Sequence, residues 1–309
     1  MGREERFSKL PLDVSVPTWM KGNPSDGEIA NLARARRPGG SSNTLADTGR
    51  AIMEKLSPDT IRRGLTTRFM GQEVVCYDSV SSTNEVAKEL ARQGAPDGTL
   101  IIADEQTAGK GRQGRSWFAP RGTGLLLSLI LHPSLTTSEM PRLTMASSLA
   151  VANAIEEVTG LPVQFKWPND ILLGEKKTGG ILTEVSLSGD VLDYAVIGIG
   201  VNVNLDVSLI PEIADVATSI AEELGRPASR LELLRILLRL MESEYDLLLR
   251  GKSPHERWMT RLRLLGDKVQ VTTPWGKESG RADTVDADGA LVLRRPDGTI
   301  VRITVGDVE

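Results

Sequence analysis

Apolar positions recur along the chain in three patterns, and the pattern changes twice. Glu73 to Tyr77 predicts a strand, and Ser82-Thr-Asn-Glu85 then reads as a capping box that opens a helix. Val86, Ala87, Leu90 and Ala91 give that helix one apolar face, and Gly94 stops it. Thr99 to Ala103 predicts a second strand. Gly124 to Leu131 predicts a third, apolar on both faces except at Ser128 and therefore buried on both. Met145, Leu149, Ala152, Ile155 and Val158 fall at helical steps, which predicts a long core-facing helix ended by Gly160. Val163 to Trp167 is a strand running into Pro-Asn-Asp, and Gly179–Ser186 and Val191–Val203 pair across the Ser188-Gly-Asp turn. A second long helix starts at Ser229, with Glu232 completing its box; Leu231, Leu234, Leu238, Met241 and Tyr245 form its stripe, and Gly251 follows. From Asp267 the pattern becomes short alternations: Val269 and Val271, Leu291 and Leu293, then Ile300, Arg302 and Thr304. Asp288-Gly and Asp297-Gly supply hairpin turns, so the last forty or so residues predict a small β-barrel-like unit.

The first fifty residues follow none of these patterns. Four prolines punctuate them, and Pro38-Gly-Gly-Ser-Ser-Asn43 has linker composition. Ser25–Arg36 and Asp47–Lys55 predict at most two short helices. Residues 1–70 carry a net charge of +4 and the remainder −8, a weak pointer to an acidic partner.

Composition narrows the classes. With 309 residues, 40% hydrophobic and 25% charged, the chain suits a globular enzyme of two domains. A net charge of −4 is that of no general nucleic-acid binder. Cys76 is the single cysteine, so no internal disulfide and no zinc cluster is encoded, and it reads as a small apolar strand residue. His132 and His255 are too few for a histidine metal site. The first residues lack the apolar core of a signal peptide, and the longest apolar run is too short for a bilayer, so a cytoplasmic location with no membrane partner is the expectation.

Candidate chemistry concentrates at Gly109-Lys-Gly-Arg-Gln-Gly-Arg-Ser-Trp-Phe118. The expectation is that Gly109, Gly111 and Gly114 allow positive φ and close approach, while Lys110, Arg112 and Arg115 surround an anion. Trp117 and Phe118 would exclude water. A mobile basic surface loop is an equal reading of the same composition. The spacing fits neither a Walker A loop nor a dinucleotide fingerprint.

Three further motifs follow in order: Lys166-Trp-Pro-Asn-Asp170, Lys177-Thr-Gly-Gly-Ile-Leu-Thr-Glu184 and Gly198-Ile-Gly-Val-Asn-Val-Asn204. Together the four resemble the biotin protein ligases, over roughly residues 57 to 309. The resemblance implies an α/β (α+β) fold: a mixed-sheet catalytic domain over 57–265, then an SH3-like β domain over 266–309. It also implies a ligase that makes biotinyl-5′-adenylate from biotin and ATP with Mg²⁺, then transfers biotin to one lysine of a biotin carboxyl carrier domain.

The resemblance distributes roles over these residues. Lys177, Arg112 and Asp170 are the catalytic set; Lys177 bridges biotin carboxylate and α-phosphate, and Asp170 helps hold Mg²⁺. Ser82, Thr83, Asn84 and Gln106 take the biotin ring, with Gly109, Lys110, Gly111, Arg112, Trp117, Lys177 and Gly180 along the rest of the molecule. Arg112, Arg115, Trp117, Asn169, Asp170, Lys177 and Asn202 approach the nucleotide. Lys110 stands where many members carry arginine, a point charge in place of a fork. Ser82 has two readings at once, helix cap and ring ligand. Trp167–Asp170 also reads as a tight turn after a strand, Lys176 as a solvated charge, Asn204 as a strand-end amide and Glu184 as a strand-end surface charge.

Residues 1–56 depart from relatives that repress biotin genes. Gly27-Glu-Ile-Ala30 resembles the start of their helix-turn-helix, but Arg36-Arg-Pro-Gly-Gly replaces the second helix. A working helix-turn-helix needs both, so residues 1–56 read as an extension or linker and DNA is not an expected partner. A homodimer through a free sheet edge is compatible with the pattern. Three rival readings stand beside the ligase: a lipoate ligase of the same superfamily, a biotin-sensing repressor, and a catalytically silent interaction protein.

Overall fold

The structure is a computed structural model, and it describes residues 55–308. The expectations for Ser25–Arg36, for the linker at Pro38 and for the helix-turn-helix lie outside the described residues, as does nearly all of Asp47–Lys55.

In chain order the elements are α1 (Pro58–Arg62), β1 (Val74–Tyr77), α2 (Thr83–Arg92), β2 (Thr99–Ala103), β3 (Gly124–Leu131), α3 (Met140–Thr159), β4 (Val163–Lys166), β5 (Asp170–Leu173), β6 (Lys176–Ser188) and β7 (Val191–Asn202). There follow α4 (Ile220–Leu224), α5 (Arg230–Leu249), α6 (His255–Met259), β8 (Lys268–Thr273), β9 (Gly276–Val285), β10 (Leu291–Arg294), β11 (Ile300–Ile303) and β12 (Asp307–Val308). Seven strands form one sheet in the order β1-β2-β3-β7-β6-β5-β4; β1 and β2 are parallel and every other pair is antiparallel. The last five strands form an antiparallel sheet in the order β11-β10-β9-β8-β12. This is the mixed α/β architecture with a separate C-terminal β unit that the sequence predicts.

Alternation along β2 and β3 divides the apolar residues between two layers. Leu100, Ile102, Leu125, Leu127, Leu129 and Leu131 face α3 and α5 in the larger core. Ile101, Ala103 and Ile130 join Val86, Ala87 and Leu90 of α2 on the other face. Truncating a fully buried leucine such as Leu127 to alanine costs about 2–5 kcal/mol at such a site. The large core continues without a break into the second sheet through Val271, Leu291, Leu293 and Ile303. Trp167 fastens that junction, its indole N–H donating to the Gly289 carbonyl at 2.9 Å.

Several local expectations change. Ser82 occupies the N-cap of α2, but its side chain makes no cap hydrogen bond, so the capping box does not form. Ser229 does cap α5, accepting from the Glu232 amide. Ser57 closes a capping box with Thr60 on α1 that the sequence pattern does not single out. β5 was hidden behind the Trp-Pro-Asn-Asp turn, because four residues between two turns are too short to show a period. β9 was hidden because its residues are mostly polar and its alternation is weak. In β11 the alternation of Ile300 and Arg302 marks the solvent face: Ile300 is 57% exposed, and Ile303 enters the core instead.

Candidate active site

The glycine-rich loop leaves β2 and returns to β3, folding back on itself. The Trp117 amide donates to the Gly109 carbonyl at 2.9 Å, and the Gly111 amide to the Arg115 carbonyl at 2.7 Å. Only Gly114 of the three glycines takes positive φ, with Gln113 beside it at 54°. Gly109 is needed for closeness instead, since a Cβ there would lie 2.4 Å from the Trp117 carbonyl oxygen. The loop presents Trp117 inward and Phe118 outward; Phe118 is 59% exposed and shields nothing. The Trp117 indole rests on β7, where a Cβ at Gly200 would meet it at 2.6 Å. Its buried N–H has no hydrogen-bond partner among the described residues.

Lys177 reaches this site because β6 is irregular. Asp170 pairs with Gly180 and Ile171 with Gly179, but Leu172 pairs with Lys177, so Thr178 is an extra residue bulged out of the ladder. A bulge offsets the alternation by one, which turns Lys177 and Gly180 to the same side. A Cβ at Gly180 would meet the Lys177 Nζ at 3.6 Å and the Trp117 ring at 3.4 Å. Lys177 Nζ lies 2.5 Å from Asp170 Oδ1 and 5.6 Å from the Trp117 ring centroid. Lys176 turns away, donating to the Ala214 carbonyl at 2.9 Å.

Arg112 crosses from the loop toward Asn169, its Nη1 3.3 Å from Asn169 Oδ1. Asn169 is itself held by donating to the Ile181 carbonyl at 2.7 Å. Burial lowers the Arg112 pKa, against the opposing pull of Asp307 and Asp170. The C-terminal sheet reaches into the site here. Asp307 on β12 contacts Arg115 Nη2 at 2.5 Å and Arg112 Nη1 at 3.6 Å.

At the other end the groups are neutral. Gln106 Oε1 accepts from the Thr83 amide at 2.8 Å and lies 3.1 Å from the Thr83 hydroxyl. Asn84 is committed inside the protein: its Nδ2 donates to Glu184 Oε2 at 2.8 Å, and its Oδ1 accepts from Ser128 at 2.6 Å. Lys110 turns outward to Glu85 at 2.5 Å, while Lys88 bridges Glu85 and Glu184 at 2.7 and 2.9 Å. Burial pushes the Glu85 pKa up, but the hydrogen bonds from Lys110 and Lys88 outweigh it and hold the carboxyl below its usual range.

These residues enclose a cavity of about 110 Å³ between β3, β6, β7 and the loop. A second cavity of about 720 Å³ shares the glycine loop as a wall and opens toward the C-terminal sheet at Gly289 and Val305. An apolar slot with neutral hydrogen-bonding groups at one end and two cations at the other suits a small carboxylic acid with a polar ring, activated by a phosphoanhydride.

Residues 76–202 match the biotin/lipoate A/B protein ligase family, and residues 264–309 match the biotin protein ligase C-terminal domain. Over 258 residues the chain is 40% identical to the bifunctional ligase/repressor BirA of Bacillus subtilis, covering 82% of this chain and 79% of that protein. The chain belongs to the biotin protein ligase family. It is also 30% identical over 269 residues to the biotin–[acetyl-CoA-carboxylase] ligase of Mycobacterium tuberculosis, covering 82% of this chain and 97% of that one. Among solved structures, the biotin protein ligase from Aquifex aeolicus in complex with biotin and ATP superposes with a TM-score of 0.66 at 32% identity, covering 77% of this chain and 98% of that one.

Within this biotin protein ligase fold, every residue to which the resemblance gives a site role lines the smaller cavity except Gly109 and Asn202. Gly109 lines the larger one. Asn202 is buried, and its Nδ2 donates to the Thr218 carbonyl at 3.0 Å, so it holds the loop before α4. Asn204 similarly ties down the residues before α5, through Ala228 at 2.9 Å. Glu184 is no strand-end charge; it stands within β6 and anchors Asn84 and Lys88. Asp307 and Ser128 were not singled out as site residues. The interruption of an apolar strand was the one signal for Ser128, and nothing local marks Asp307.

Proposed function

We propose that this chain activates biotin with ATP and transfers it to a lysine of a biotin carboxyl carrier domain. The observation that supports this best is the division of one cavity: Ser82, Thr83 and Gln106 offer uncharged donors and acceptors at one end, and Lys177 and Arg112 bring positive charge to the other. A cyclic urea suits the first end and a carboxylate beside a phosphate the second.

In the first step a carboxylate oxygen of biotin attacks the α-phosphorus, and the bond to pyrophosphate breaks. Lys177 offsets the repulsion between the two anions and stabilises the charge that grows on the phosphate oxygens. Only the second effect accelerates the reaction, because only it is stronger in the transition state than in the ground state. Arg112 and Arg115 hold the phosphate as forked donors. Trp117 covers the ligand and keeps water from the mixed anhydride. In the second step the carrier lysine, as a free amine, attacks the biotinyl carbonyl; AMP leaves and the amine gives up a proton. Among the described residues no three metal-ligating side chains cluster. Asp170, the one carboxylate among the residues lining the smaller cavity, would hold Mg²⁺, and the ion would supply charge neutralisation beside the phosphates.

The proposed boundaries are 57–265 for the catalytic domain and 266–309 for the β domain. Strand β4 is occupied on its outer side by main-chain bonds with Arg261 and Arg263, so a strand-edge homodimer would pair through β1. Among the described residues no helix is long and apolar enough to cross a membrane.

The deciding experiment incubates the protein with biotin, MgATP and an apo carrier domain, read by mass. Modification of one carrier lysine by biotin is the expected result. Transfer of lipoate in preference to biotin, or no modification at all, refutes the proposal. A gel-shift on upstream DNA tests the repressor reading that the name of the Bacillus relative raises.

A further inference from the structure

The turn between β4 and β5 carries Asn169, and Asp170 opens the strand that follows. A hairpin tip has few neighbours of its own, so its placement depends on what grips it. Two grips are present. On one side Asn169 is tied to β6: its Nδ2 donates to the Ile181 carbonyl at 2.7 Å, and its carbonyl accepts from the Ile181 amide at 3.1 Å. On the other side Trp167, only 2% exposed, donates its indole N–H to the Gly289 carbonyl at 2.9 Å. Gly289 stands in the turn between β9 and β10 of the C-terminal sheet.

That carbonyl is itself well held. Asp286 Oδ1 accepts from the Asp288 and Ala290 amides, both at 3.0 Å, and Gly289 takes a φ of 81°. A Cβ at Gly289 would lie 2.7 Å from Pro141, so the turn is seated directly on α3. An indole N–H only donates, so the direction of the bond is fixed. Burial alone does not bring such a bond: the buried indole N–H of Trp258 has no partner among the described residues. The C-terminal sheet touches the site at a second place, where the Gly306 carbonyl and Asp307 meet the loop arginines. Those contacts lie on the groups that a phosphate would take. Neither Trp167 nor Gly289 lines the smaller cavity, so a ligand there leaves their bond intact.

We infer that Trp167 is a positioning residue, through which the C-terminal sheet sets the place of the catalytic turn. The turn in turn sets where Asn169 Oδ1 meets Arg112 Nη1, at 3.3 Å, and where Asp170 Oδ1 meets Lys177 Nζ, at 2.5 Å. The chemistry this serves rests on the ligase reading proposed above. Trp167 touches no reacting atom itself.

The test compares the full chain with Trp167→Phe, which removes the N–H and keeps a ring in the core. Single-turnover adenylation should slow roughly ten- to a hundredfold, the cost of a misplacement of about 1 Å. The Kd for biotin should stay within about twofold, because Ser82, Thr83 and Gln106 stand on α2 and after β2, away from this turn. Hydrogen–deuterium exchange reads the position directly. The Ile181 amide, held by the Asn169 carbonyl, should exchange roughly tenfold faster, with the Leu127 and Leu129 amides of β3 unchanged. An unchanged adenylation rate overturns the inference, as does unchanged exchange at Ile181. Faster exchange throughout β3 as well overturns it too, because a merely structural tryptophan would loosen the whole core alike. If Trp167→Phe loses its fold by circular dichroism, β-(3-benzothienyl)alanine placed at position 167 carries the same comparison, since it keeps the indole shape with sulfur in place of the N–H. Wild-type protein without biotin-dependent pyrophosphate exchange would instead sink the ligase reading, and the Ile181 exchange would still decide the tie.

Discussion

Asp307→Asn should tighten ATP binding. Asp307 reaches from the C-terminal sheet to both loop arginines, at 2.5 Å to Arg115 and 3.6 Å to Arg112. A triphosphate entering the same guanidinium forks must displace this carboxylate first. The Arg115 side chain is 58% exposed, so its pair is worth about 0.2–1 kcal/mol. The Arg112 contact is longer but more sheltered, which brings the displacement cost to about 1 kcal/mol. Asparagine keeps the shape and removes the charge, leaving both guanidiniums free for phosphate. At ~1.4 kcal/mol per tenfold, the KM for ATP in pyrophosphate exchange should fall up to about fivefold. The KM for biotin should not move, and the difference between variant and parent should narrow as salt rises. A higher KM for ATP in the variant would refute the reasoning. It would mean that Asp307 orders the arginines for the nucleotide rather than competing with it.

Lys177→Ala should slow adenylation by on the order of 10²–10³ with the fold retained, whereas Lys176→Ala, whose ammonium faces the Ala214 carbonyl, should cost far less; single-turnover rates decide, and the reverse ranking would mean the bulge at Thr178 does not set the register. Burial pushes the Cys76 thiol up to about 12, so it should resist iodoacetamide at pH 8 until the protein unfolds, and rapid native-state alkylation seen by mass would contradict its placement. Burial raises the Glu242 pKa, but donation from the Arg68, Phe69 and Met70 amides outweighs it and the carboxyl ends below its usual value. A depressed carboxylate stabilises the fold above its unfolded pKa, near 4.3, and that contribution is lost as pH falls through the folded value. Denaturant titrations of Glu242→Gln should therefore differ most from wild type at neutral pH and converge in acid; parallel curves at both would refute the linkage.

The sequence by itself determined the long elements and the motifs whose residues line the smaller cavity. Helical steps from Met145 to Val158 and from Leu231 to Tyr245 can be satisfied only by helices with one buried face, and the double-sided apolar run of β3 only by a covered strand. These patterns are local, so no partner is needed to read them. Arg112, Arg115, Lys177 and Asp170 were equally legible, because they stand in short motifs.

Tertiary structure alone decided what those residues face. Ser82 is a cap by sequence, yet its hydroxyl makes no cap hydrogen bond, and the residue lines the cavity. The register of Lys177 depends on the extra residue at Thr178, which strand alternation cannot foresee. Lys110 looked like a ligand cation, but Glu85, one turn into α2, claims it. Glu184 and Ser128 matter through Asn84, whose Oδ1 sits against Gly198 two strands away. Asp307 enters the site 195 positions after Arg112. Each of these is a contact between groups distant in the chain, so its sign and strength are set by the fold that closes the distance, and no local period records it.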